Sequence, residues 1–349
     1  MLVYTAVHVP VRPFDAVLVV AFGGPQGMAD IRPFLANVTR GRRIPPERLE
    51  SVAAHYEHFG GVSPLTAITE RQVEGLRARL GAAGVDIPVY LGMRNWHPRL
   101  PDTLRRMSDA GVRRAVWFLA AAHRSFSSCT QYRQNVLEAR AAVVAAGGRN
   151  IDITYVADWH THEGFIAANA AHVIDAARRL PAEVAARARV IFTAHSIPVS
   201  MAGAAIYQRQ LLESARLVAA RVGTSDWTLV FQSRSGRPED PWLGPDVCDY
   251  LRQEGPSLAA AILCPLGFLC DHIEVLHDLD REAADVCRDV GLPMARARTV
   301  NDAPAFLDTM AGVVLETWHR YERGVPLSIA MPHAPTPIGG RGGSGQSVL

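Results

Sequence analysis

Cysteine is scarce in this 349-residue chain, and what there is has no framework. The five, Cys129, Cys248, Cys264, Cys270 and Cys287, form no C-x-x-C pair. That excludes a disulfide-stapled scaffold and fits a reducing cytoplasm. A long apolar run is missing too. The longest, Leu258 to Cys270, is about 13 residues and contains Pro265, short of the ~20 that span a bilayer. No transmembrane segment is expected and the protein should be soluble and cytoplasmic, with peripheral membrane contact left open. The opening MLVYTAVHVPVRP lacks the basic start, long apolar core and small-residue cleavage site of a signal peptide. Charge of one sign is absent as well. Lys+Arg of 36 against Asp+Glu of 34 leaves a net charge of +2, and the basic residues are scattered except at Arg40, Arg42 and Arg43. A nucleic-acid partner is not expected, because a polyanion binder concentrates its cations along one face. The triplet suits one or two carboxylates or phosphates instead. Nucleotide binding is not expected either. Phe22-Gly23-Gly24-Pro25 follows an apolar run, but Gln26-Gly27-Met28 breaks the G-x-G-x-x-G pattern. A serine hydrolase has no support without G-x-S-x-G.

What the chain does have is 48% hydrophobic residues, enough for one large core or two ordinary ones. Short β-branched runs alternate with helix-like segments, the pattern of parallel sheets with crossover helices. Strands are expected near Phe14–Phe22, Ile87–Gly92, Val112–Ala121 and Ile151–Ala157. A second set is expected near Ala188–His195, Trp227–Gln232, Leu258–Phe268 and Leu292–Ala297. The fold class is therefore α/β, with two Rossmann-like domains, each a four-stranded parallel sheet flanked by helices, and a cleft between them. The polar segment Asp158–Gly164 marks the boundary, giving domains 1–160 and 161–325. A last helix over about Ala303–Glu322 ends at Gly324 and Pro326. The Pro/Gly/Ser-rich stretch 326–349 is expected to be a disordered tail.

Ligands in open α/β sheets bind beyond the carboxyl ends of the strands. Two features stand near such ends. Glu274, Asp278 and Glu282 repeat at i, i+4 and i+8 in a segment whose Val275, Leu276 and Leu279 point to a helix, which puts the carboxylates on one stripe. Like charges at that spacing cost roughly 0.2–0.5 kcal/mol per pair. The stripe is then either a solvated face, with Asp278 paired to Arg281, or a path for hydrated cations and protons between oxygen ligands. His195 closes the run Val190–Ala194 and is either a hydrogen-bonded core residue or a functional imidazole. His55 with His58, and His160 with His162, have spacings that allow metal ligation, but exposed positions on a helix or in a linker explain them as well.

Several blocks together resemble the ferrochelatase family, from about Phe14 to Glu322: AFGGP (21–25), HFGGVSPL (58–65), GMRNWHP (92–98), SSCTQY (127–132), FTAHSIP (192–198), FQSRSG (231–236), PWLGP (241–245) and DHIEVLHDLDRE (271–282). Their details are most similar to a bacterial, actinobacterial-like branch of soluble enzymes. The resemblance implies a lyase that inserts ferrous iron into a porphyrin in heme biosynthesis, held in a cleft between two chelatase-type domains. It implies that His195 faces Glu274, both catalytic and both metal-handling, and that the acidic ladder is Glu274, Asp278 and Glu282. Ser63 and Tyr132 fall on positions associated with the porphyrin or its metal. Tyr56, Arg94 and Trp242 match positions near the cleft.

Fe2+ would enter as a substrate. Some relatives carry an axial tyrosine where this chain has Phe22, which cannot coordinate. Others hold a [2Fe-2S] cluster on cysteines of a C-terminal extension, and no cysteine follows Cys287, so no iron–sulfur cluster is expected. Arg40, Arg42, Arg43 and Arg94 are candidates for the substrate carboxylates. Coproporphyrin III, with four propionates, is favoured over protoporphyrin IX, with two. Two other readings stay open: a chelatase for another tetrapyrrole or metal such as cobalt, and a non-enzymatic tetrapyrrole-binding protein.

Overall fold

The computed structural model describes residues 12–41, 44–235, 239–325 and 327. The expected disordered tail, apart from residue 327, lies outside these, as do Arg42 and Arg43. Eight strands form two sheets, in the places the apolar runs mark. The first holds β1 (Ala16–Ala21), β2 (Val89–Met93), β3 (Arg114–Leu119) and β4 (Asp152–Tyr155) in the order β2-β1-β3-β4. The second holds β5 (Ala188–His195), β6 (Trp227–Gln232), β7 (Ala260–Cys264) and β8 (Met294–Arg296) in the order β6-β5-β7-β8. Every pairing is parallel. The second sheet thus repeats the winding of the first.

The sequence explains why the central strands are continuous apolar runs. Parallel sheets carry helices on both faces, so both sides of a strand are dry. β1 is buried at every position, with Val17, Val19 and Ala21 in one core and Ala16, Leu18 and Val20 in another. The first of these cores also contains Val190, Phe192 and Ile262 of the second sheet. The two halves therefore share apolar interior.

Two features depart from a simple division near residue 160. The segment expected as a polar linker is anchored, with Trp159 buried and its ring stacked on Phe118 at 5.4 Å. The last helix, Pro304–Glu322, packs on Pro64–Ala82 of the first half as well as on Glu163–Ala177. Gly75 sits at that contact, where a Cβ would lie 2.5 Å from Leu307 Cδ1 and the leucine side chain would have to shift. Arg71–Asp302 (2.8 Å) and Arg79–Asp308 (2.5 Å) flank the same contact.

In each sheet the order reverses between the two central strands, and such a switch point leaves a crevice at their carboxyl ends. Those ends are Ala21–Gly23 and Ala120–Ala122 in the first sheet. In the second they are His195 and the turn Gly267–Cys270. All of them line one cavity.

Candidate active site

This cavity has a volume of about 240 Å³. From the first half come Phe22, Tyr56, Ser63, Arg94, His123 and Tyr132, and from the second His195, Tyr207, His272 and Glu274. Local packing explains why distant blocks meet here. A Cβ at Gly24 would fall 2.6 Å from Ser63 Cβ, so the glycine lets the turn after β1 lie against the start of helix Pro64–Ala82. Ser63 caps that helix, its Oγ accepting from Leu65 N at 3.4 Å. Its 3% exposure makes it both a structural cap and part of the cavity wall.

His195 is the last residue of β5 and pairs in register with Gln232. Its Nδ1 lies 2.5 Å from the carbonyl oxygen of Ser196. A carbonyl only accepts, so Nδ1 carries the proton and Nε2 of the neutral ring presents a lone pair. Glu274 Oε2 stands 3.8 Å from that Nε2. A lone pair facing a carboxylate at that distance is a site for something positive, a proton or a metal ion. His272 caps the helix Ile273–His277 by accepting from Glu274 N at 3.3 Å, which fixes the start of the segment carrying Glu274. Burial pulls the His272 pKa down, partly opposed by the charge of Glu274.

The wall around this pair is apolar and aromatic. Tyr56 has its pKa driven up by burial and by the charge of Glu274. Burial pushes Tyr132 up to about 12 although Arg94 opposes the shift, so both phenols stay neutral donors at physiological pH. Arg94 stacks 5.4 Å above the Tyr132 ring and 5.9 Å above Phe22, and its Nε donates to Asn135 Oδ1 at 2.6 Å. Burial pulls its pKa down, yet a guanidinium remains charged throughout the physiological range. Phe22 lies in the wall and offers no ligand atom.

The carboxylate stripe is not one continuous α-helix. The helix Ile273–His277 passes into a π-helical turn, Asp278–Ala283, and then into Ala284–Asp289. Such turns insert a residue into the helical register and occur often at functional sites. Glu274 opens into the cavity, while Asp278 and Glu282 join His277 in a second cluster whose ligand atoms all lie within 4.8 Å of one another. His277 Nδ1 is 3.3 Å from Asp278 Oδ1 and 4.0 Å from Glu282 Oε2. Asp278 does not pair with Arg281 among the described residues. It accepts instead from Gln232 Nε2 at 3.1 Å and from Ser233 Oγ. Burial and the charge of Asp278 raise the Glu282 pKa, and His277 and Arg252 only partly oppose them.

The remaining histidines separate. His55 stacks on His277, with ring centroids 3.6 Å apart and planes at 16°, and burial with the neighbouring imidazole pushes it down to about 4. His58 packs on Phe59. His160 pairs with Glu213 at 2.7 Å, and His162 caps its helix. Arg40 lines a neighbouring cavity that shares Arg94 with the first. Trp242 is not in the wall. Its backbone bridges Pro198, and its indole Nε1 is buried without a partner.

Sequence reasoning missed His123, Tyr207, His272 and His277. The last two sit inside the DHIEVLHDLDRE block, where His277 precedes Asp278 directly, so the signal was present. His123 and Tyr207 carry no local signature.

The model of the family described as Ferrochelatase matches residues 14–318. The chain is 45% identical to a ferrochelatase of Rhodopirellula baltica, covering 87% of this chain and 86% of the relative. It is 46% identical to a coproporphyrin III ferrochelatase of Mycolicibacterium smegmatis, covering 88% and 90%. Among solved structures it is similar to the sirohydrochlorin chelatase SirB of Bacillus subtilis subspecies spizizenii, with a TM-score of 0.52 at 12% identity over 88% of this chain and 97% of that one. SirB from Bacillus subtilis gives 0.55 at 13% with the same coverage. The last two show the fold.

Proposed function

The chain belongs to the ferrochelatase family, and from that membership we propose that its porphyrin is coproporphyrin III and that His195 and Glu274 perform the metallation. The family reaction is that of a lyase, which places Fe2+ into a porphyrin in heme biosynthesis. The observation that carries the assignment of the pair is the locked His195 ring, whose Nε2 lone pair faces Glu274 at 3.8 Å inside the cavity.

Metallation requires two pyrrole N–H protons to leave while iron exchanges its waters for ring nitrogens. His195 Nε2 accepts a proton as general base, and Glu274 stabilises the imidazolium that results. Nε2 and the carboxylate also suit a transient hold on Fe2+. The ring cannot do both at once, so proton removal and metal contact alternate. His277, Asp278 and Glu282 offer nitrogen and oxygen ligands to the incoming ion just beyond the cavity. Tyr56, Ser63, Tyr132 and the guanidinium of Arg94 hold the macrocycle against the apolar wall. For the carboxylate-rich substrate, support comes from the relatives named for coproporphyrin III and from the guanidiniums beside the cavity.

The test is anaerobic turnover with ferrous iron on coproporphyrin III and on protoporphyrin IX. Higher kcat/KM on coproporphyrin III is expected. Equal or better turnover of protoporphyrin IX sinks the substrate assignment, and near-normal turnover in His195→Ala removes that residue from the mechanism.

A further inference from the structure

The helix Ala204–Val222, which crosses from β5 to β6, buries three polar side chains at i, i+3 and i+7, a spacing that puts them on one face. Tyr207 is 7% exposed, Gln210 5% and Ser214 0%. Leucines would serve packing alone, since a buried polar group costs free energy unless it is paired. All three are paired. Tyr207 Oη donates to the carbonyl oxygen of His195 at 3.2 Å. Gln210 Oε1 accepts from Arg124 N at 2.7 Å, and its Nε2 donates to Asp158 Oδ2 at 3.2 Å. Ser214 Oγ lies 2.8 Å from His160 O and 3.0 Å from Gln210 O. A hydroxyl has one proton and a carbonyl takes it, so Ser214 accepts from His123 Nε2 at 3.0 Å. One helix face thus holds the strand end that carries His195 and the loop after β3 that carries His123. Both imidazoles line the cavity.

The end of β5 needs such a support. Its ladder with β7 stops at Phe192–Cys264, while that with β6 runs on to His195–Gln232, so the last residues of the strand are laddered on one side only. Resting on the role assigned to His195 above, we propose that Tyr207 is a positioning residue for metallation: its phenol fixes the end of β5, and with it the placement of the His195 ring against Glu274, while Gln210 and Ser214 tie the same helix to the wall of the first half. Burial drives the Tyr207 pKa up, so the hydroxyl keeps the proton it donates. A fully paired buried network rigidifies and specifies one geometry. Proton transfer to His195 Nε2 depends on that geometry, since a misplacement of about 1 Å can cost ~100-fold in rate.

Tyr207→Phe removes the hydroxyl and keeps the ring. Single-turnover metallation of coproporphyrin III, with anaerobic enzyme in excess and saturating ferrous iron, should slow about fivefold, which is ~1 kcal/mol at ~1.4 kcal/mol per tenfold. Kd for the porphyrin, read by fluorescence quenching, should stay within about twofold, and the melting temperature within about 3 °C. In a His195→Ala background the same substitution should change the rate by less than about twofold, because positioning acts through the imidazole. An unchanged rate in Tyr207→Phe alone overturns the proposal. An equal loss in both backgrounds overturns it too, since the hydroxyl then supports the fold and not His195. Weaker porphyrin binding at an unchanged saturated rate makes Tyr207 a substrate contact and removes the positioning role. Near-normal turnover of His195→Ala alone looks different from all three: it brings down the earlier reading of His195, and this one with it.

Discussion

Replacing Glu274 by glutamine removes a charge while keeping shape, and its effect follows from one distance. If His195 takes a pyrrole proton, the imidazolium and the Glu274 carboxylate are 3.8 Å apart. Their attraction is ~1 kcal/mol with water-like screening and ~4 kcal/mol at an effective dielectric of ~20. The side chains are 18% and 37% exposed, so screening lies between these limits. A loss of roughly 10- to 100-fold in kcat is expected, since each ~1.4 kcal/mol is tenfold. The assay is anaerobic loss of free-porphyrin absorbance at saturating iron and porphyrin. A double-mutant cycle with His195→Ala should be strongly non-additive, because Glu274 acts through the imidazolium. A kcat within about twofold of the original, or additive losses in the cycle, would refute the reasoning.

Three further outcomes follow from the same structure. Glu282→Gln should raise the KM for Fe2+ about fivefold or more, as it removes a ligand from the His277 cluster, and an unchanged iron KM across a metal titration takes that cluster off the iron path. Gly267→Ala should lower thermal stability by ~1–3 kcal/mol and cut kcat, because the added Cβ would lie 2.7 Å from Ala194 Cα, next to His195. Normal melting and normal turnover would contradict it. His123, 3% exposed, is pushed down to about 3 by burial, so the unfolded chain binds its proton below ~6.5 while the folded one does not. Stability then falls as pH drops through that window, by about 2 kcal/mol between pH 7 and pH 5 from this group. Melting curves of His123→Gln should show that much less acid sensitivity, and identical slopes would count against it.

The strands were legible because both faces of a parallel sheet are buried, which leaves a β-branched run that no helix face imitates at that length. β5 and β6 match their expected spans fully. β4 and β8 are shorter than their apolar runs, because flanking residues such as Leu292 and Ala297 are buried without belonging to the strand. His195 and Glu274 were legible as members of two blocks, and the cavity brings them together. Contacts between distant segments were not. Arg281, three residues on, looked like the natural partner of Asp278, yet Gln232 and Ser233 take it from another strand end. The π-turn after His277 has no composition signal, and it carries the later part of the stripe away from the cavity. The return of the last helix to the first half rests on long-range contacts such as Arg71–Asp302 and Arg79–Asp308, which spacing alone does not reveal.

The repeated winding of the sheets hides an unequal division of labour. Both switch points open into one cavity, but the first half supplies mainly aromatic and apolar wall with a guanidinium, and the second supplies the imidazole of His195 and the carboxylate of Glu274. Under the function proposed above, grip on the macrocycle and work on its nitrogens come from opposite sides. Parallel strands explain how two unlike sets can share an architecture: the sheet fixes only where the carboxyl ends lie, and the loops beyond them are free to differ. His55 is the exception that joins the sets. It comes from the first half, yet stacks on His277 in the cluster beyond Glu274. Burial and the neighbouring imidazole hold that ring neutral at physiological pH, so His55 adds no fixed positive charge to the cluster's carboxylates.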